Sequence, residues 1–157
     1  MFLNRQNPTE HVIADQAPAA LMLLRIAIAF VFVTEGLQKF LSPEALGAGR
    51  FMKIGIPYPD IAAPFVGGVE IVGGALVLIG LYTRLAAFAL VIDMIVAITA
   101  TKLPLLLGYG FWGFAAPTGA TGFWSAAHEA RLDIMMLFSC LLLLAIGPGK
   151  ASFDQRG

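Results

Sequence analysis

Residues 61–101, which read IAAPFVGGVEIVGGALVLIGLYTRLAAFALVIDMIVAITAT, decide the fold of this chain. Only Glu70, Arg84 and Asp93 are charged in this stretch. A helix that crosses about 30 Å of hydrocarbon needs about 20 mostly apolar residues, and the stretch holds two such runs. The runs meet at Thr83 and Arg84, so we expect two antiparallel neighbouring helices in a membrane.

Two further apolar runs extend this prediction to an all-α integral membrane protein with a four-helix transmembrane bundle. A bundle domain is expected over residues 18–149, closed by the helix terminator Gly147-Pro148-Gly149. An even number of spans puts both termini on one side of the membrane. The predicted segments are a polar N-terminal tail 1–17, helices at about 18–40, 61–82, 85–101 and 129–146, an aromatic loop 102–128, and a C-terminal tail 150–157.

Composition excludes several classes of function. The 157 residues are 59% apolar and 13% charged, whereas soluble domains carry about 25% charged residues. The net charge is zero, so no basic field attracts nucleic acid. Cys140 is the sole cysteine and His11 and His128 are the two histidines, so we expect no metal site, no disulfide framework and no covalently bound cofactor. Residues 1–17 lack the short apolar core of a cleaved signal, so an uncleaved first helix is expected.

At least four ionisable residues fall inside predicted spans: Arg25, Glu35, Glu70 and Asp93. Each costs about 2.5–3.5 kcal/mol at mid-helix on insertion scales, and such residues usually face the bundle interior and mark function. Arg25, Glu35 and Lys39 share one stripe of the first helix, and Glu35 and Lys39 have the i,i+4 spacing of an ion pair. We interpret the three as candidate substrate-binding residues; a structural role in pairing helices is the alternative.

Glu70 and Asp93 each share a helix face with small residues, which lets membrane helices pack closely. Glu70 lies about nine residues after the start of its predicted helix, and Asp93 about nine residues before the end of its own. Because the two helices are antiparallel, the two acids lie at similar depth in the membrane. The residues in and near the spans hold one more acid than base, and an unpaired carboxylate in low dielectric tends to hold a proton. We therefore predict Glu70 and Asp93 as proton carriers.

The aromatic loop admits two interpretations. Its tryptophans, Trp112 and Trp124, fit an aromatic belt at the membrane interface. Alternatively, the loop folds over the bundle mouth and walls a ring-binding pocket with His128 at its rim and Arg131 nearby. On the second interpretation these four residues bind substrate.

Three runs resemble the DoxX family of four-helix bacterial membrane proteins: LLRIAIAFVFVTEGLQKF (23–40), VGGVEIVGGALVLIGLYTRLAA (66–87) and GPGKASFD (147–154). The resemblance covers about residues 18–154, and Arg25, Lys39, Glu70 and Arg84 match its pattern. At Glu35 the family commonly has His. The resemblance implies membrane redox chemistry, since related DoxD proteins are the membrane subunit of thiosulfate:quinone oxidoreductase and other relatives are tied to quinone and thiol stress responses.

These observations together predict a quinone-linked, redox-associated subunit in a bacterial inner membrane, with the termini in the cytoplasm. Quinone is the expected diffusible cofactor, Arg25 or Lys39 its hydrogen-bond donor and Glu70 its proton carrier. Electrons would come from a soluble or membrane redox partner, and oligomerisation is expected because four short spans bury little surface. Whether the chain is itself catalytic stays open. The alternatives are a non-catalytic assembly or scaffold subunit and a small proton-coupled permease.

Overall fold

The computed structural model describes residues 8–149 and 152–155, with side chains in the first helix from residue 20 onward. This part of the chain is helical and contains no strand. A π-helical turn, Ile98–Lys102, joins the fourth helix to the fifth, and a 3-10 turn, Phe153–Gln155, follows the last helix. The α-helices are α1 Pro8–Leu41, α2 Ala48–Ile54, α3 Pro59–Ile79, α4 Thr83–Ala97, α5 Leu103–Leu107 and α6 Phe123–Ile146.

Three stretches in the described residues are long and apolar enough to cross a membrane: Ala20–Leu41, Pro59–Ile79 and Thr83–Leu107. The prediction of an all-α membrane protein is confirmed. The fourth span, expected at 129–146, is not confirmed. Helix α6 has the length, with 24 residues, but any part of it that is long enough to span includes Glu129, Arg131 and Asp133.

The outer faces of the helices suit contact with lipid. They expose large apolar side chains that a soluble protein would bury, and exposed apolar surface of this extent marks an interaction surface. The bilayer is the partner that these faces contact. Examples are Leu23 and Phe30 on α1, Phe65 and Val72 on α3, Leu85 on α4 and Phe138 on α6.

Several helix bounds differ from the sequence prediction. Helix α1 begins at Pro8, ten residues before the expected start at Pro18. Proline suits the first turn of a helix, and Pro8 fits that position as well as Pro18 does. Residues 1–7 of the predicted tail lie outside the described residues. Helical structure continues past Thr101 to Leu107 through the π-helical turn, with Pro104 in the first turn of α5. Helix α6 begins at Phe123, six residues early.

Packing pairs α1 with α3 and α4 with α6, while the short turn keeps α3 beside α4. The two glycines Gly36 and Gly67 set the approach of α1 to α3: a methyl group on Gly36 would lie 2.6 Å from the Gly67 carbonyl oxygen. Small residues at such contacts let membrane helices pack backbone to backbone. The core between the pairs consists mainly of Ile28, Phe32, Val77, Leu90, Met136, Cys140 and Leu143.

The end of the chain packs against the α3–α4 turn. The Asp154 carboxylate accepts hydrogen bonds from the backbone amides of Tyr82 (2.7 Å) and Thr83 (2.8 Å), which caps α4 from 71 residues away. The Asp154 amide donates to the Gly80 carbonyl oxygen at 2.9 Å. Gly80 has φ +72°, and a methyl group there would clash with Ser152 Cβ. We call residues 152–154 the C-terminal clamp.

Arg25 completes this end of the bundle. Its side chain is 2% exposed, its Nε donates to the Val77 carbonyl oxygen at 2.8 Å, and its Nη1 donates to that of Pro148 at 3.3 Å. Carbonyl groups at the end of a helix lack intrahelical partners and carry partial negative charge. Arg25 therefore binds the last turn of α3, and its charge also attracts Asp154.

Candidate functional site

A cavity of about 350 Å³ lies among α1, α3, α4 and α6 at the end of the bundle where α1 ends and α3 begins, which we call the loop side. Helix α2 and its neighbours line it through Leu46, Phe51, Ile54 and Ile56. The other helices add apolar side chains including Phe32, Val66, Met94, Leu132 and Met136. The charged lining residues are Glu35, Lys39, Arg50, Glu70, Asp93, Lys102 and Asp133.

An ion pair joins α1 to α3 inside this cavity. Lys39 Nζ lies 2.6 Å from Glu70 Oε2 and 2.8 Å from Oε1, and both side chains are largely buried. Lys39 Nζ is also 3.4 Å from the backbone carbonyl oxygen of Glu35. The expected ion pair between Glu35 and Lys39 is therefore not the one that forms. Because α1 and α3 approach closely at Gly36, Glu70 lies near enough to accept hydrogen bonds from the ammonium group of Lys39.

Asp93 adjoins this ion pair from α4. Its carboxyl group lines the same cavity as the Glu70 carboxyl group. Its Oδ2 is buried and has no hydrogen-bond partner among the described residues. The arrangement is suited to hold and transfer a proton.

Lys102 and Asp133 lie at the loop-side opening of the cavity. Lys102 Nζ is 3.4 Å from Asp133 Oδ2 and 3.8 Å from Glu129 Oε2. The π-helical turn Ile98–Lys102 places Lys102 here, because one turn of this kind rotates the residues that follow it relative to an α-helix. Such turns occur frequently at functional sites.

A second, more open cavity of about 720 Å³ adjoins the first on the loop side, and we call it the outer groove. Trp124 and His128 from the start of α6 line it. Its other walls are residues 117–120 of the loop, Leu105, Ser125 and Glu129. Arg50, Thr101 and Lys102 line both the cavity and the outer groove, so the two meet at these three residues.

The structure brings most of the predicted site residues to these two places. Glu35, Lys39, Glu70 and Asp93 line the cavity. Trp124 and His128 line the outer groove, where Trp124 is 82% exposed.

Three predicted residues lie elsewhere. Arg25 is at the opposite end of the bundle, since 14 residues separate it from Lys39 and the helix rises about 1.5 Å per residue, or about 21 Å in all. Trp112 is 85% exposed on the loop. Arg131 is exposed, and its Nε donates to the His128 carbonyl oxygen at 2.8 Å.

Sequence reasoning missed Arg50, Lys102 and Asp133 as site residues. Lys102 and Asp133 lie at or near the ends of predicted spans, where charged residues are common and carry no specific signal. Arg50 lies between the first two predicted spans, and the seven-residue helix α2 that carries it is too short for a periodic signal.

Comparisons with known proteins agree with this architecture. Residues 20–107 match the sequence profile of the DoxX family. An uncharacterized membrane protein of Mycobacterium tuberculosis is 47% identical over 141 residues, which cover 90% of this chain and 83% of the relative. The inner membrane protein YphA of Escherichia coli is 27% identical over 143 residues, with coverage of 88% and 91%.

A shorter match involves CatD of Bacillus subtilis, which is provisionally named an oxidoreductase. It is 35% identical over 83 residues, covering 52% of this chain and 59% of the relative. No solved structure matches the chain significantly. The profile match spans more than half of the chain and the mycobacterial relative nearly all of it, which confirms the resemblance seen in the motifs: this membrane protein belongs to the DoxX family.

Proposed function

We propose that this protein binds a quinone in the loop-side cavity and exchanges protons with it, as the membrane component of a redox reaction. The observation that carries the proposal is the composition of the cavity. Its wall is mostly apolar, yet it encloses the buried cluster of Lys39, Glu70 and Asp93. The relation to CatD, with its provisional oxidoreductase name, supports the same class of function.

The residues present fit such a ligand. Small-molecule cavities measure about 300–1,000 Å³ and combine apolar walls with a few polar groups, and this one holds about 350 Å³. Phe32, Phe51 and Met94 supply apolar surface for a ring. The Lys39 ammonium and the Arg50 guanidinium are hydrogen-bond donors that a quinone oxygen can accept from. A bound quinone would accept two electrons and two protons.

Glu70 and Asp93 have the geometry for the proton part of this reaction. Both carboxyl groups line the one cavity, so a ligand bound there can exchange protons with either of them on this proposal. Lys39 holds Glu70 in place through both of its oxygens. General acids act when they are held within hydrogen-bonding reach of the group that they protonate.

On this proposal, the electrons for the reaction do not come from the described residues. Among the described residues, no three His, Cys, Asp or Glu side chains converge as metal ligands. A soluble or membrane partner subunit would therefore deliver them. We place the protein in a bacterial inner membrane with its termini in the cytoplasm, and we expect it to work as an oligomer or with that partner.

Mass spectrometry of extracted quinone tests the proposal directly. Protein purified in mild detergent from its own membranes should carry near-stoichiometric quinone. Glu70→Gln, which removes the carboxylate from the cavity, should lower that content about tenfold. Asp60→Asn changes an exposed acid at the start of α3 and should leave it unchanged. A quinone content no higher than the lipid background in wild-type protein would overturn the proposal.

A scaffold or a permease makes different predictions. A scaffold predicts that Glu70→Gln changes the yield of a complex and not its turnover. A permease requires a route to both sides of the membrane, whereas Arg25 and its carbonyl partners fill the end opposite the cavity. Solute flux into proteoliposomes that depends on a proton gradient would favour the permease over quinone binding.

A further inference from the structure

The cavity and the outer groove adjoin to form one elongated site, whose outer part is more polar than its apolar inner part. They share Arg50, Thr101 and Lys102, which we call the mouth. A ligand that fills both parts has to place some of its own groups beside these three side chains. The charges at the mouth therefore indicate the chemistry of that ligand.

The two cations at the mouth differ in how far they are already paired. Lys102 lies 3.4 Å from Asp133 and 3.8 Å from Glu129, so two carboxylates offset its charge. Arg50 has no carboxylate within 4.0 Å in the part of the chain that the structure describes. The planar guanidinium group of arginine matches the geometry of a carboxylate and similar oxyanions with two parallel hydrogen bonds. Arg50 is thus available to an anionic group.

The deeper part of the cavity disfavours an anion. Its single inner cation, Lys39, is already bound by Glu70 at 2.6 Å. Counted over the whole cavity, four acids face three bases, and the acids Glu35, Glu70 and Asp93 lie inward of the mouth. A negative group on a ligand therefore lies most favourably at Arg50, while an uncharged ring lies against the apolar wall.

Contacts at the end of helix α2 fix the backbone that carries Arg50. The Ala115 amide donates to the Ile54 carbonyl oxygen at 2.7 Å, which ties the aromatic loop to the end of α2. Gly55 ends the helix with φ +89°, and a methyl group there would lie 2.8 Å from the Gly113 carbonyl oxygen. A group held in place before binding loses less entropy when the ligand arrives.

From these observations we propose that the preferred ligand is an aromatic acid: a quinone or related ring compound with one carboxylate or sulfonate group. Its ring occupies the inner cavity and its acidic group binds Arg50 at the mouth. This inference deepens the proposed function and rests on it, since it assumes that the cavity binds a ring compound.

Two matched probes test this inference: anthraquinone-2-sulfonate and the uncharged 2-(hydroxymethyl)anthraquinone. Trp112→Phe leaves Trp124, in the outer groove, as the one tryptophan of the chain, and quinones quench indole fluorescence. In phosphatidylcholine vesicles, after correction for partition into protein-free vesicles, the sulfonate should bind about tenfold more tightly, as expected for one charge-assisted contact.

Two variants assign that preference to the mouth. Arg50→Gln should abolish it, whereas Lys53→Gln removes a charge from an exposed position on the same helix and should keep it. A further measurement needs no variant: the preference of the Trp112→Phe protein should fall as salt rises from about 0.05 to about 0.5 M, because an exposed charge contact is screened.

The outcomes separate the inference from the proposed function. Quenching by neither probe would overturn quinone binding itself. Equal affinity for the two probes, or a preference that persists in Arg50→Gln, would overturn only the aromatic acid.

Discussion

Lys39, in the last turn of α1, donates hydrogen bonds to both carboxylate oxygens of Glu70 in the middle of α3, at 2.8 and 2.6 Å. The pair lies beside the close contact of the two helices at Gly36 and Gly67 and forms part of the cavity wall. It therefore links the packing of the bundle to the chemistry of the site, and the two contributions can be measured separately.

Removing one partner of this pair should cost more than removing both. Lys39→Met leaves a buried carboxylate without its cation, and we expect it to lower the free energy of unfolding by about 3 kcal/mol. Lys39→Met combined with Glu70→Gln should recover most of that loss. Unfolding in detergent micelles measures both, with Lys53→Met as an exposed control. A double variant as unstable as Lys39→Met alone would show that the pair does not act as a unit.

The contact between α1 and α3 predicts opposite effects for two glycine-to-alanine changes. Gly36→Ala places a methyl group 2.6 Å from the Gly67 carbonyl oxygen, so we expect a loss of about 2 kcal/mol as the helices move apart. Gly68→Ala meets nothing within 4 Å and should stabilise helix α3 by up to about 1 kcal/mol. Thermal unfolding compares the two, and an equal effect would contradict the close contact.

Leu90 and Ile92 distinguish the core from the lipid-facing surface of α4. Leu90 is fully buried, whereas Ile92 is 48% exposed. Leu90→Ala should therefore lower the free energy of unfolding by about 2–4 kcal/mol, and Ile92→Ala by less than about 1 kcal/mol. Denaturation in mixed micelles is the measurement, and a larger effect at Ile92 would mean that the faces of α4 are assigned the wrong way round.

Asp154 should make stability depend on pH in the acid range. Burial raises the pKa of its carboxyl group, but hydrogen bonds from Thr83 and Tyr82 and the charge of Arg25 outweigh this, so the pKa is lowered overall. A carboxyl group with a lowered pKa stabilises the fold above its unfolded value, about 3.9, and that contribution is lost as pH falls through the lowered pKa.

Asp154→Ala should therefore lower stability by about 1 kcal/mol at neutral pH, as the loss of a helix cap does. The difference from wild type should shrink below about pH 4. Unfolding measured across the acid range checks the direction. Asp154→Asn keeps one oxygen acceptor without the titration, so its stability should change less over the same pH range. If the difference in stability between Asp154→Ala and wild-type protein grew on acidification, the capping role of Asp154 would be contradicted.

Helical periodicity and hydropathy were enough to predict the membrane class, because both depend on local sequence. They also predicted the inward faces that bring Glu70 and Asp93 together. They grouped Arg25 with Lys39 on one stripe, although their separation of fourteen residues already places the two side chains at different depths. Arg50 was missed because a seven-residue helix forms through its contacts with the rest of the fold. The π-helical turn before Leu103 likewise has no local signature.

The C-terminal clamp has a consequence for how the protein is made. The amides at the start of α4 obtain their cap from a residue that the ribosome adds 71 positions later. Because the ribosome adds about 5–20 residues per second, the α3–α4 hairpin is made several seconds before the residue that forms these hydrogen bonds with its turn. These bonds thus form only after residue 154 has been made, and a chain lacking residues 152–154 would insert without them.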